Sequence, residues 1–123
     1  MEMSKLVIIL EDNTAINKLF STLLTKVGFK VQSFFTGKDF LNSLNELKPD
    51  LILLDMLLPD YTGLELIQKL SENPSYSKIP AIAVTGFATE YTLEGLKEKG
   101  FSDYITKPIN TKTFVEQISK YLN

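Results

Sequence analysis

LILLDMLLPDYTG, residues 51 to 63, opens on an unbroken apolar run of the kind a strand shows when both faces of its sheet are covered. Leu51, Ile52, Leu53 and Leu54 leave no polar side at a period of two, and Asp55 then ends the run with a carboxylate. Beside a dry core an acid is costly, unless it sits where the strand emerges or a cation or hydrogen bonds compensate it. The stretch thus reads as a central parallel strand whose last side chain carries chemistry.

Bulk properties bound what that chemistry can be. The chain has 123 residues, 44% hydrophobic and 23% charged, which suits one compact domain over 1–123 with a substantial core. Thirteen basic residues face 15 acidic ones, spread without a block of either sign, so the sequence offers no electrostatic footprint for direct nucleic-acid binding. Cysteine and histidine are both absent, which removes disulfides, thiolate chemistry, the usual general base and the usual zinc ligand. Carboxylates, hydroxyls and lysines remain. No stretch approaches the roughly 20 apolar residues of a membrane span, and the expectation is a cytoplasmic protein without membrane insertion.

Around the opening stretch the chain alternates between two periods. Strand-length runs occur at 6–10, 30–34, 51–54, 79–84 and 103–105. Between and after them, amphipathic spacing predicts helices over 14–27, 37–47, 63–72, 89–99 and 111–122, with Gly28 and Gly100 closing the first and fourth. Five strand-then-helix units call for an α/β fold: a doubly wound, five-stranded parallel sheet with right-handed crossovers and helices on both faces.

Ligands of such sheets sit beyond the carboxyl ends of the strands, near the topological switch point. Glu11 and Asp12 follow the first predicted strand, Asp55 the third, Thr85 and Gly86 the fourth, and Lys107 and Pro108 the fifth. Two carboxylates about 4 Å apart repel by roughly 4 kcal/mol at an effective dielectric near 20, and a divalent cation relieves that conflict. All-oxygen ligands suit Mg²⁺. A carboxylate in that setting can act as a nucleophile toward phosphorus, with a threonine hydroxyl and a lysine ammonium to receive the phosphoryl oxygens. Asp55 is the residue read as that acceptor.

Together these residues resemble the receiver domain of two-component response regulators along essentially the whole chain: the Glu11–Asp12 pair, Asp55 followed by MLLPDYTG, Thr85, and the Lys107–Pro108 dipeptide. The resemblance implies a flavodoxin-like sheet of order 2-1-3-4-5. It implies that Asp12, Asp55 and the backbone carbonyl of Leu57 bind Mg²⁺, with Glu11 acting through coordinated water. It further implies that Lys107 pairs with the acids and then the phosphoryl group, that the Lys107–Pro108 bond is cis, and that Thr85 and Tyr104 form the switch pair.

Taken singly, each residue has a plainer reading. Asp12 suits a helix N-cap, Asp55 a solvated strand end, Thr85 a turn and Lys107 the surface, while Tyr104 suits a half-buried strand position and Gly63 a backbone requirement at a helix start. Their convergence on four strand ends favours the functional reading. Among rivals, a flavin-binding module would place FMN at the same rim, but LEDNTA is no phosphate loop. An aspartate-nucleophile phosphatase usually carries a second aspartate two residues beyond the first, where this chain has Leu57. A pseudo-receiver working by contact alone does not need the full acidic set.

The implied function is a phosphorylation-activated switch rather than an enzyme with a separate substrate: a domain that promotes its own phosphotransfer and dephosphorylation. Its donor would be a histidine kinase or histidine phosphotransfer protein, and its target a protein on the face of the fourth helix, fifth strand and fifth helix, including Tyr91 and Tyr104. No output segment follows the last predicted helix, so the signal is expected to pass through another protein unless the chain is part of a longer regulator. Leu57 and Phe87, two residues beyond Asp55 and Thr85, are both apolar, and slow intrinsic dephosphorylation is expected from them.

Overall fold

A computed structural model describes residues 4–86 and 92–122. The elements run β1 Leu6–Leu10, α1 Thr14–Lys26, β2 Lys30–Phe34, α2 Gly37–Ser43, β3 Leu51–Asp55, α3 Gly63–Ser71, β4 Ala81–Thr85, α4 Leu93–Lys99, β5 Asp103–Thr106 and α5 Thr111–Lys120. All strand pairs are parallel and the sheet order is β2-β1-β3-β4-β5. The chain moves outward from β1 to β2, then crosses back past β1 to β3, which puts the switch point between β1 and β3.

Period-two alternation divides the core into two layers. Ile8, Leu10, Ile52 and Leu54 face one side of the sheet, where Phe40 of α2, Leu66 and Ile67 of α3 and Leu96 of α4 cover them. Val7, Ile9, Leu51 and Leu53 face the other, under Phe20 and Leu24 of α1 and Phe114 and Ile118 of α5. Every residue of β3 and β4 is buried, as two covered faces require. Phe20 and Phe114 stack with centroids 4.7 Å apart, tying α1 to α5.

Differences from the sequence reading sit at element ends. The second helix stops at Ser43 and passes into a 3₁₀ turn over Leu44–Glu46, where Tyr76 donates its hydroxyl to the carbonyls of Leu44 and Leu47. The fourth strand begins at Ala81, after Pro80, and reaches Thr85, so Thr85 belongs to the strand and is buried. Helix α4 starts after its cap Thr92; positions 89–91 of the expected helix lie outside the described residues. Gly28 follows α1 with φ +100° and Gly100 closes α4 with φ +114°, both left-handed as the helix stops require. Gly63 has a different reason: a Cβ there would lie 2.6 Å from Met56 Sδ and 3.0 Å from Met56 Cα, so close approach excludes a side chain.

Candidate functional site

Strand register assembles the site. Leu10 pairs with Leu54, so the next residues along, Glu11 and Asp55, come level at the carboxyl edge. Asp55 pairs with Val84, and Thr85 with Thr106, so Thr85 and Lys107 stand one and two steps further along the rim. Backbone bonds carry the ladder beyond the strands, from Met56 N–H to Val84 O at 3.0 Å and from Lys107 N–H to Thr85 O at 2.8 Å. The Lys107–Pro108 peptide is cis. The resulting cleft, about 530 Å³, is lined by Glu11, Asp12, Asp55, Leu57, Thr85 and Lys107 among others.

Three carboxylates meet there: one oxygen each from Glu11, Asp12 and Asp55 lies within 4.8 Å of the others. Glu11 and Asp55 are buried and Asp12 is exposed. Lys107 Nζ is 3.0 Å from Glu11 Oε1 and 3.6 Å from Asp55 Oδ2. Burial, and next a hydrogen bond with Glu11, push the Asp55 carboxyl from 3.8 up to about 7, against the opposing pull of the Leu57 N–H and Lys107. Partial burial works against the charge of Lys107, but Glu11 and Asp55 outweigh it and raise its pKa. Buried Glu11 Oε1 has no hydrogen bond among the described residues beyond its ion pair with Lys107. A rim where burial and a neighbouring acid raise the Asp55 carboxyl, with three carboxylate oxygens within 4.8 Å of one another, is one that a divalent cation fits.

The loop after β3 orients Leu57. An isolated antiparallel bridge pairs Leu57 with Thr62, and its flanking bonds run from Leu58 N–H to Tyr61 O at 3.1 Å and from Gly63 N–H to Met56 O at 2.9 Å. Both bypass the peptide groups of Leu57, which face away from Thr62. Leu57 N–H donates to Asp55 Oδ1 at 3.0 Å, which ties the main chain of the loop to the acids.

The plainer reading of Asp12 is displaced by its neighbour. Asn13, not Asp12, caps α1, accepting from Ile16 N–H at 3.0 Å. Glu11 Oε2 in turn accepts from Asn13 N–H at 3.2 Å. Tyr104 is half-buried against the α2–α3–α4 layer, and Gln117 of α5 donates to its carbonyl at 2.9 Å. Phe87 and Tyr91 lie outside the described residues.

One supporting residue escaped the sequence reading. Asn17 is buried and donates from Nδ2 to Glu11 O at 2.9 Å, fixing the backbone that aims Glu11 and Asp12. Its signal was present: Asn17, Phe20 and Leu24 share the buried stripe of α1, where an amide is out of place without a partner.

A family model for the response regulator receiver domain matches residues 7–119. The chain belongs to that family. It is 39% identical over 120 residues to the polar-differentiation response regulator DivK of Brucella ovis, covering 98% of each chain. Among solved structures it resembles the BeF₃-activated DrrB receiver domain, with a TM-score of 0.85, 29% identity and 98% of both chains covered. The receiver domain of the sensor histidine kinase PA1611 of Pseudomonas aeruginosa PAO1, solved with magnesium coordinated in its active-site cleft, shares the fold at 22% identity, with a TM-score of 0.86 and 97% and 98% coverage. The flavin and phosphatase readings gain no support from these likenesses. Among the described residues no helix is long and apolar enough to cross a membrane.

Proposed function

We propose that the chain is a phosphorylation-activated signalling switch in which Asp55 accepts a phosphoryl group from a phosphohistidine of a histidine kinase or phosphotransfer protein. The observation that carries this reading is a buried Asp55 held between Glu11 and Lys107 at the sheet's switch point. Asp12, Asp55 and the Leu57 carbonyl would hold Mg²⁺, with Glu11 acting through water, and the ion when bound would neutralise charge on the acids and on the phosphoryl oxygens. An oxygen of ionised Asp55 attacks phosphorus, the N–P bond of the donor breaks, and the imidazole nitrogen keeps the bonding pair. Lys107, already 3.6 Å from Asp55, supplies a cation to the new dianion, and the Thr85 hydroxyl supplies a hydrogen bond.

Movement of Thr85 toward the phosphoryl group would vacate space beside β4, and Tyr104, at half-burial on the neighbouring strand, is placed to follow. The readout surface is then the α4–β5–α5 face, bound by a downstream protein. Basic and acidic residues in near balance, 13 against 15 and without a block of either sign, support a protein partner over nucleic acid. The test is uptake of labelled phosphoryl from a small phosphoramidate in Mg²⁺: the parent chain is expected to incorporate label and Asp55→Asn to incorporate none. Equal incorporation in the variant would place the acceptor elsewhere.

A further inference from the structure

The loop between β3 and α3 is gripped at its tip by a helix on which the site otherwise makes no claim. Asp60 receives two backbone hydrogen bonds from the start of α2, from Gly37 N–H to Oδ1 and from Lys38 N–H to Oδ2, each 2.9 Å. Those two donors belong to the set that a helix start cannot satisfy internally. Beside them the Tyr61 ring lies where a Cβ on Gly37 would fall, so the glycine leaves room for it. Thr36, the N-cap of α2, serves a separate donor, Asp39 N–H at 3.1 Å. The tip of the loop, Leu58-Pro59-Asp60-Tyr61, is thereby fastened to α2, while its base is fastened by the Gly63–Met56 bond. Leu57 lies between the two fixings.

We propose that Asp60 is a positioning residue for the metal site: by clamping the loop tip to α2 it holds the Leu57 carbonyl at the acids. This rests on the reading of that carbonyl as a metal ligand. A loop held only at its base, by one isolated bridge, can swing its carbonyl away at little cost, and divalent affinity then falls even though every carboxylate remains. Asp60 acts through main chain and touches no ligand itself.

The experiment is calorimetric titration of the full chain and its variants with magnesium chloride. Asp60→Ala is expected to raise the Kd on the order of tenfold, the usual scale for losing an orienting partner. Asp60→Asn should fall between, since its amide keeps one acceptor oxygen but turns N–H groups toward the second donor. Gly37→Ala, which displaces the Tyr61 ring, should weaken binding as well. Thr36→Ala is the control: it removes the cap of α2 and lowers the melting temperature, yet should leave the Kd unchanged. Parent-like affinity in Asp60→Ala overturns the proposal, and so does an equal loss in Thr36→Ala, which would assign the effect to a loosened helix. Should Asp60→Ala fail to fold, Asp60→Asn and Gly37→Ala decide by the same comparison. A parent chain that takes up no Mg²⁺ overturns the metal reading itself, a result separable from the others, and this proposal with it.

Discussion

Lys107 stands closer to Glu11 than to Asp55, with Nζ 3.0 Å from Glu11 Oε1 and 3.6 Å from Asp55 Oδ2. In this arrangement the ammonium compensates two buried acids at once. Removing one partner of a fully buried pair costs about 3–5 kcal/mol, and the partial exposure of Lys107 reduces that to about 1–2 kcal/mol. Lys107→Met is therefore expected to lower the urea midpoint of the metal-free chain and to recover part of the loss in saturating Mg²⁺, because a ligand bound only by the folded state adds stability. A midpoint unchanged without metal would show that the ion pair contributes nothing.

Asp12 differs from the other two acids in being exposed, and the helix that follows it is capped by Asn13. Its carboxylate is spare for structure. Asp12→Ala should leave the metal-free stability within about 0.5 kcal/mol of the parent, as surface substitutions do, while weakening Mg²⁺ binding at least about tenfold. Titration beside thermal melting separates the two effects. A variant that binds Mg²⁺ as the parent does would remove Asp12 from the ligand set.

The raised pKa of Asp55 predicts opposite pH trends with and without metal. With a folded value of about 7 against an unfolded 3.8, the folded chain holds a proton that the unfolded chain releases. That contribution to stability is complete below the unfolded value and is lost as pH rises through about 7. The metal-free parent should thus lose this increment between about pH 4 and pH 7, and Asp55→Asn should show a flatter profile. Mg²⁺ competes with the proton, so its affinity should rise up to about tenfold per pH unit below 7 and level off above. A pH-independent Kd would mean that the carboxyl is already ionised.

Much of this molecule was legible because its strands are short apolar runs and the polar side chains of its cleft stand at the strand ends. Asp55 announced itself by following four buried aliphatics. What stayed hidden depends on contacts between distant segments. Nothing near Asp60 reveals that its oxygens will meet α2 some 22 residues earlier. The 3₁₀ turn that follows the second helix meets Tyr76, more than 30 residues away from Leu44, whose hydroxyl donates to the Leu44 carbonyl. Asp12 and Asn13 are both good caps by propensity, and the choice fell to Asn13 because the acids are drawn to the rim by the β1–β3 register.

The last expectation concerns how long a phosphoryl group would persist on Asp55. Leu57 lines the cleft two residues beyond Asp55 and is 56% exposed, so its side chain is at the cleft and not in the core. Hydrolysis requires a water in line with the Asp55–phosphorus bond. An aliphatic side chain offers that water no hydrogen bond, and its bulk would screen the path if it lies across it. A neutral hydrogen bond contributes ~1 kcal/mol, or about fivefold in rate if made only in the transition state. Leu57→Asn is expected to shorten the lifetime by about that factor, and Leu57→Ala separates the two causes, since it relieves bulk without adding a polar group. The measurement is loss of labelled phosphate from the purified chain after the donor is removed. Faster loss in both variants assigns the slow reset to screening, and faster loss in Leu57→Asn alone assigns it to missing orientation of the water. The double variant Leu57→Asn, Phe87→Glu should be faster still if the position two beyond Thr85 acts in the same way. If neither single variant loses phosphate faster than the parent, Leu57 does not govern the lifetime.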